Sequence, residues 1–477
     1  MGLVLTNTLS GRKEPLVPRK PGHVGIYWCG VTVYSRSHIG HARALITADV
    51  LCRYLRTRGM NVTFVRNFTD IEDKIIKRAR EEGITTEALT SREIGRFNED
   101  VAWLRCLRPT HEPRATTHIA EMLAMIEALI ADGYAYPVPD GSVYFRVRRF
   151  ADYGKLSHQH PDLMTCDDDP DPAKEDAHDF ALWKGAKPGD PEWPSPWGPG
   201  RPGWHIECSA MAAKYLGQPF EIHGGGSDLI FPHHENEIAQ SEAAAGCSFA
   251  DLWMHNGMVT SNSEKMSKSL GNILALGDVA KQGVPAEALR LLFLRTHYRA
   301  PLDYFAGGLE ETQKGLDRLY ETLARADEAA TTPPLPALDG ALAGTLRPFE
   351  TDFCAAMDDD LNAAKAVGLL FDRARDLNRA LDAGDAGAAA VVRAELGRVG
   401  LAVGLLERRP AEYLETRRRS GQEKAGLSDD EIAAAIQARN DARKSKNFKR
   451  ADAIRDDLKD KGIILEDGPD GTTWKSA

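Results

Sequence analysis

Residues 24–66 read as a strand, a helix and a second strand joined by short links, and no other stretch of the 477-residue chain restricts its architecture as much. Val24-Gly-Ile-Tyr-Trp-Cys29 is an apolar run ending at Gly30, the pattern of a buried strand. Ser37 is placed to cap a helix over residues 38–57, with Gly59 as its carboxyl-terminal stop. Asn61-Val-Thr-Phe-Val-Arg66 then alternates like a strand. Strands joined through one crossover helix lie parallel, so the expected class is α/β. The first turn carries no Gly-x-Gly-x-x-Gly, and a dinucleotide site therefore gains no support.

The rest of the chain divides by texture. Residues 114–130 read as helix and Tyr144-Phe-Arg-Val147 as a strand. Eight prolines fall between Asp167 and Pro202, which predicts irregular structure there. Residues 115–202 are read as an insertion between two halves of one domain, 1–114 and 203–289. Long Ala- and Leu-rich helices predict a bundle over 290–410, interrupted at Pro333-Pro-Leu-Pro336. The polar stretch 413–427 reads as a hinge into a small module, with 411–477 as the last domain. No run of eighteen apolar residues occurs, so no spanning helix and no membrane partner is expected. Seven scattered cysteines and a start without a signal-peptide pattern predict reduced thiols and a cytoplasmic protein. It is expected to be a monomer.

Two motifs carry chemistry. His38-Ile-Gly-His41 falls at the strand-to-helix turn, where backbone N–H groups and the positive dipole end favour an anion. Gly40 leaves room for a ligand against the backbone. Lys265-Met-Ser-Lys-Ser269, before Leu270-Gly-Asn272, reads as a phosphate-gripping loop with Lys268 as a point charge.

The two motifs together resemble the paired signature of class I aminoacyl-tRNA synthetases. Four further stretches are similar to the cysteinyl-tRNA synthetase family: Cys29-Gly-Val-Thr-Val-Tyr34, Arg66-Asn-Phe-Thr-Asp-Ile-Glu-Asp-Lys74, Gly203-Trp-His-Ile-Glu-Cys-Ser-Ala-Met211, and the run from His223-Gly-Gly-Gly226 to His233-His-Glu-Asn-Glu237. The likeness extends from about residue 20 to Trp474. Ser35 departs from it, standing where an acidic residue is expected. The resemblance implies a Rossmann-like catalytic domain that activates L-cysteine with ATP and transfers it to the 3′ end of tRNA(Cys). His38, Gly40, His41 and Lys268 would bind ATP; His38, His41 and Lys268 would stabilise charge on the phosphates, with Lys265 ordering the loop. Thr69 and Asp228 would hold the amino group, Trp204 would close beside the side chain, and His223 would line the same pocket. Mg²⁺ is expected to travel with the ATP.

A metal site follows from donor chemistry as well. With Pro232 in the first turn of a helix, His233 and Glu237 are four apart and share a face, while Glu235 points away. His234 is the rival ligand, but Ile238 stands four residues after it. Cys29 and Cys208 complete a zinc-type set, although by spacing alone these four read equally as core thiols and a capping pair. The resemblance matches Cys29, Cys208, His233 and Glu237 one by one and implies one Zn²⁺ per chain. Serine differs from cysteine by one atom, so shape discriminates weakly, whereas zinc prefers a thiolate; the substrate sulfur is then expected to become a ligand.

Net charge is −10, yet Arg439, Arg443, Lys444, Lys446, Lys449 and Arg450 crowd into twelve residues with one acid, Asp441. Such a patch suits a phosphate backbone, and Phe448 and Trp474 suit stacking on bases. Two other readings compete: a ligase joining cysteine to an amino-sugar in mycothiol synthesis, which should lack the basic end module, and a non-catalytic RNA-binding paralogue, which should lack the intact motifs.

Overall fold

The computed structural model describes residues 2–160, 162, 172–261, 264–265, 274–329, 337–468 and 471–476. A hairpin of β1 (Val4–Asn7) and β2 (Arg12–Pro15) precedes β3 (His23–Thr32), α1 (Ile39–Thr57) and β4 (Asn61–Thr69). β3 and β4 pair in parallel from His23 opposite Asn61 to Thr32 opposite Thr69, as the crossover requires. Two expectations are corrected. β3 does not stop at Gly30 but continues through a register shift between Trp28 and Val31. A Cβ on Gly30 would overlap the Asn67 carbonyl oxygen and lie 2.7 Å from the carbonyl carbon, so only glycine lets the strands approach here. Nor is Ser37 the helix cap. Its carbonyl accepts from Leu276 N at 3.0 Å, and His38 caps α1 instead.

Helices α2 (Asp73–Glu82), α3 (Thr86–Trp103) and α4 (Ile119–Ala131) lead into an antiparallel sheet of β5 (Ala135–Pro137), β6 (Val143–Phe145), β7 (Phe180–Gly185) and β8 (Gly200–Pro202), in that order. The proline-rich stretch is thus partly regular, contrary to expectation. Phe180, Leu182 and Trp183 are buried on β7, and Pro202 sits on the edge strand, where only one side of the ladder needs N–H donors.

The chain then returns through α5 (Trp204–Leu216), β9 (Phe220–Gly226), α6 (Glu235–Ala245) and β10 (Ala250–Asn256). The central sheet has the order β10-β9-β3-β4, all parallel. Successive strands leave β3 in opposite directions, so a crevice opens at the carboxyl ends of β3 and β9. Alternation along β3 divides the interior: Ile26 and Trp28 join the core beneath α1, while Tyr27 and Cys29 face α5 and α6.

A second small sheet, β12-β11-β13, consists of β11 (Val259–Ser261), β12 (Glu264–Lys265) and β13 (Leu302–Tyr304), with α7 (Leu276–Lys281) and α8 (Ala286–Leu294) between the last two. The helical region comprises α9 (Ala306–Ala329), α10 (Pro348–Asp358), α11 (Ala363–Asp382), α12 (Ala386–Val403) and α13 (Pro410–Ala425). The expected hinge at 413–427 is instead largely α13. Tyr413 and Arg417, one turn apart, are buried; Tyr413 stacks on Tyr320 at 3.8 Å, and both Tyr413 and Arg417 bond Asp317. A buried ion cluster fastens α1 to this region. Asp49 accepts from Arg53 at 2.7 Å and from Arg290 at 2.6 Å, and Arg53 also reaches Glu407 at 2.5 Å.

The end module is α14 (Asp429–Lys444), α15 (Phe448–Asp460) and a hairpin of β14 (Ile463–Gly468) and β15 (Gly471–Ser476), closed on Ile432, Leu458 and Ile463. Among the described residues, no helix is long and apolar enough to cross a membrane.

Candidate active site and metal centre

Cys29 near the end of β3, Cys208 on α5, His233 in the turn before α6 and Glu237 on α6 converge behind the crevice. Their ligand atoms lie within 4.8 Å of one another, and all four residues are buried. Cys29 Sγ is 3.7 Å from Cys208 Sγ and 3.3 Å from Glu237 Oε1, and His233 Nε2 is 3.0 Å from the same oxygen. A tetrahedral zinc with bonds of about 2.0–2.3 Å spaces its donors roughly 3.3–3.8 Å apart, so the set fits that ion in both chemistry and size. Cys208 is presented by a helix, whereas Cys29 comes from a strand.

A second set, Cys29, His223, His234 and Glu237, overlaps the first. His234 Nε2 lies 3.3 Å from Cys29 Sγ, and His223 Nε2 lies 2.8 Å from Glu237 Oε2. His223, expected in the substrate pocket, is therefore part of the donor cluster, its ring stacked on Trp253 at 4.4 Å. Glu235 does turn away, accepting from the backbone of Gly154 and Ser157 in the segment before β7.

Electrostatics follow from burial and mutual proximity. Burial pushes the Cys29 thiol up. At Cys208 burial acts the same way, but the hydrogen bond with Cys29 and the contact with His233 outweigh it and bring the thiol down to about 6. His233, against its burial, is raised to about 10 by Glu237 and Cys208. Glu237 is held well below the carboxylate range by His223 and His233 despite its burial. Without metal the cluster thus favours an ionised carboxylate and one thiolate balanced by a proton on His233, a proton that metal binding would release.

Sequence reasoning missed a supporting layer of histidines. His205 Nδ1 meets His233 Nδ1 at 2.9 Å; His255 Nε2 meets His234 Nδ1 at 2.7 Å, and its other nitrogen meets Thr8 Oγ1 at 2.8 Å. Such contacts fix ring orientation around a metal. His205 lies inside the quoted Trp204–Cys208 text, but nothing in the sequence distinguishes a ligand from its support.

Of the residues expected in the substrate pocket, Trp204 touches this cluster directly, stacking on His233 at 4.2 Å. Thr69 ends β4 and donates to Glu207 Oε2 at 2.9 Å. Burial and Cys208 push the Glu207 carboxyl well above its ordinary range. Asp228 lies in the turn after β9, its carboxylate folded back over Gly226.

At the start of α1 the two signature histidines cap the helix reciprocally. Gly40 N donates to His38 Nδ1 at 3.1 Å and His38 N donates to His41 Nδ1 at 3.2 Å, with the rings stacked at 3.8 Å. Since each Nδ1 accepts, a neutral ring carries its proton on Nε2. The ring of His38 would come within 3.0 Å of a Cβ on Gly40, which explains the glycine. The second motif reaches the first through its flanks: Lys265 lies on β12, paired with Thr260, and Ile39 N donates to Leu274 O at 3.1 Å. Lys268 lies outside the described residues, as do Met266 and residues 267–273.

The basic stretch is not a single helix; it spans the end of α14, a turn and the start of α15. Arg439 leaves the set of candidate RNA contacts. It is buried, and both Nη atoms bond Asp467 at 2.8 Å. Arg443 pairs with the same carboxylate at 2.7 Å. Lys444, Lys446, Lys449 and Arg450 are exposed, with Phe448 60% exposed among them. Trp474 is half-buried in the hairpin, with the Arg418 guanidinium 4.7 Å over its ring.

Comparison with known proteins agrees with this geometry. The family described as tRNA synthetases class I (C) catalytic domain matches residues 15–314, a DALR domain matches 352–407, and a Cysteinyl-tRNA ligase anticodon binding domain matches 426–474. The Cysteine–tRNA ligase of Trichlorobacter lovleyi is 50% identical over 487 residues, covering 100% of both chains, and that of Alkalilimnicola ehrlichii is 50% identical over 475 residues, covering 99% of both. In fold, the chain is similar to Mycobacterium tuberculosis methionyl-tRNA synthetase in complex with methionyl-adenylate (TM-score 0.55, 16% identity, 86% of this chain and 96% of that one). It is also similar to a LeuRS–tRNA–LeuAMS ternary complex from Agrobacterium radiobacter (TM-score 0.59, 12% identity, 85% and 86%). Half-identity across the full length, with a class I catalytic domain and a cysteinyl-type anticodon module in one chain, places this protein in the cysteine–tRNA ligase family of class I aminoacyl-tRNA synthetases.

Proposed function

We propose that this cysteine–tRNA ligase activates L-cysteine with ATP and Mg²⁺, passes it to tRNA(Cys), and distinguishes it from serine through one zinc ion held by Cys29, Cys208, His233 and Glu237. The observation that carries this reading is the buried four-donor cluster behind the crevice of the parallel sheet. Zinc bound there would supply a soft Lewis acid that favours a thiolate.

The protein's own groups account for the remaining steps. Thr69 and Asp228 hold the amino group and Trp204 packs over the cluster. The cysteine carboxylate attacks the α-phosphorus of ATP and pyrophosphate leaves. With Nδ1 of each ring committed to the helix cap, His38 and His41 direct Nε2–H donors to the phosphates, where charge grows in the transition state. Gly40 lets the phosphates approach the amino terminus of α1. Lys265 and Lys268 add positive charge from the second motif, and a terminal ribose hydroxyl of the tRNA then attacks the adenylate. Residues 1–114 with 203–289 form the catalytic domain, 115–202 the insertion, 290–410 the helical bundle and 411–477 the tRNA-reading end. Lys444, Lys446, Lys449 and Arg450 are the phosphate contacts there. The exposed basic turn and the anticodon-type match favour this reading over an amino-sugar ligase. The protein is expected to act as a cytoplasmic monomer.

Metal removal tests the proposal. Chelated protein that keeps its circular dichroism should lose cysteine-dependent ATP–pyrophosphate exchange and recover it with zinc. Folded, zinc-free protein that activates cysteine with undiminished selectivity over serine overturns the reading.

A further inference from the structure

Two residues after His41, α1 carries a buried arginine that the mechanism above leaves unassigned. Arg43 is 1% exposed. Its Nη1 donates to Met258 O at 3.0 Å, and its Nη2 donates to His297 O and Tyr298 O, each at 3.3 Å, and to Ala300 O. A guanidinium only donates and a carbonyl only accepts, so the direction of every bond is fixed. Among the described residues no carboxylate pairs with it, and burial draws its pKa down to about 10. Met258 immediately precedes β11 and Ala300 lies two residues before β13, and these strands run parallel from Val259 opposite Leu302. β12, which bears Lys265, pairs with β11. The guanidinium therefore spans the roots of both parallel strands of the sheet that leads into the second motif.

Burying a guanidinium without a counter-ion is costly, and an apolar residue would fill the same space at lower cost. What the fork adds is geometry, several N–H directions fixed on one rigid group. Three of its four carbonyls have a backbone donor as well: Leu302 N on Met258 O at 3.0 Å, Ala300 N on His297 O at 3.0 Å and Gly257 N on Tyr298 O at 2.8 Å. The strand pair thus keeps its own bonds when the guanidinium is removed; what it loses is a polar tie to α1. Gly257 closes the same knot from the other side, since a Cβ there would stand 2.5 Å from Ala300 O. Two positions along a helix turn through about 200°, so one turn of α1 aims His41 one way and roots the small sheet on the other.

We propose that Arg43 is a positioning residue for adenylate formation, fixing the sheet that carries Lys265 against the helix that carries His38 and His41 so that both motifs meet the same ATP. This inference rests on the reading of the two motifs as the ATP site.

The test uses full-length, zinc-loaded enzyme in two assays: cysteine-dependent ATP–pyrophosphate exchange, and equilibrium dialysis with radiolabelled cysteine in the absence of ATP. Arg43→Met keeps most of the length and removes the charged fork. It should lower kcat/KM for ATP by about 100-fold, the effect of displacing a reacting group by about 1 Å. The dissociation constant for cysteine should stay within about twofold of wild type, because β11, β13 and Arg43 belong to the side of the sheet beneath α1 and the donor cluster to the other. Zinc content should be unchanged. Gly257→Ala should give the same ATP-selective loss, and the double variant should be no worse than the poorer single. A merely structural arginine would weaken ATP and cysteine alike. That result, an unchanged kcat/KM for ATP, or strict additivity with Gly257→Ala overturns the proposal. Should the methionine variant not fold, Arg43→Lys, which keeps the charge but offers one nitrogen in place of the fork, must show the same ATP-selective loss. Wild-type enzyme without cysteine-dependent exchange would instead overturn the functional reading itself.

Discussion

Replacing Gly30 with alanine should damage the donor cluster without touching a donor. Gly30 follows Cys29 where β3 shifts register, and its N–H donates to Asn67 Oδ1 at 2.9 Å. An added Cβ would overlap the Asn67 carbonyl oxygen and stand 2.7 Å from its carbonyl carbon. Ordinary contact begins near 3.4 Å, so the two backbones must part by at least about 0.7 Å, and by more to clear the oxygen. Neither side can yield by rotating a side chain, because both are sheet backbone. Overpacking of this kind costs about 1–3 kcal/mol, a fall in melting temperature of several degrees for a domain of this size. The chemical effect should be larger. Displacement of a catalytic site by about 1 Å costs on the order of 100-fold in rate, and Cys29 is the adjacent residue. Gly30→Ala should therefore contain less zinc by elemental analysis and show roughly 100-fold lower cysteine-dependent ATP–pyrophosphate exchange. Gly95→Ala is the control: Gly95 lies within α3 with nothing within 4 Å of the added carbon, and it should gain up to about 1 kcal/mol of stability. Wild-type melting, zinc content and exchange in Gly30→Ala would refute the argument that glycine is needed for this close approach.

Two further outcomes follow. Asp49→Asn should destabilise the chain by about 3–5 kcal/mol in chemical denaturation, because Arg290 and Arg53 are left in the interior without their shared anion. Against its burial, Arg290 and Arg53 hold the Asp49 carboxyl below its ordinary value. Its contribution is therefore complete above the unfolded value of about 3.9 and disappears as pH falls through the lower folded value; melting temperature should decline in that acid range in wild type and less in the variant. Truncation after residue 427 should spare exchange and weaken tRNA charging, whereas truncation before Tyr413 should also lower the melting temperature, since it strips Tyr320 of its stacked partner.

Patterns confined to a few neighbouring residues were legible in one dimension. Residues 24–66 required a parallel crossover because apolar periodicity and short links admit few alternatives, and the sheet obeys it. The paired motifs pointed to class I synthetases, the family to which the chain belongs. His233 and Glu237 were identifiable as partners because a turn separates them, and they meet at 3.0 Å. Misreadings arose where a distant segment decides. Ser37 looked like a cap until its carbonyl was committed to Leu276. The polar text from 413 to 427 looked like a hinge because Tyr413 and Arg417 find Asp317 and Tyr320 only in three dimensions. Arg439 counted as surface charge until Asp467 buried it.

The amino-acid order by itself determined the α/β class and the two signature motifs, since each depends on residue type and local spacing; the four metal-type donors were singled out only through resemblance to the family. Only the folded chain decided that Cys29 and Cys208 stand 3.7 Å apart, that His223 and His234 form a second overlapping donor set, and that Glu207 lies behind Thr69. Those relations join residues up to 208 positions apart in the chain. They depend on strand alternation, on which face each helix buries and on the order of strands in the sheet, none of which is a property of neighbouring residues.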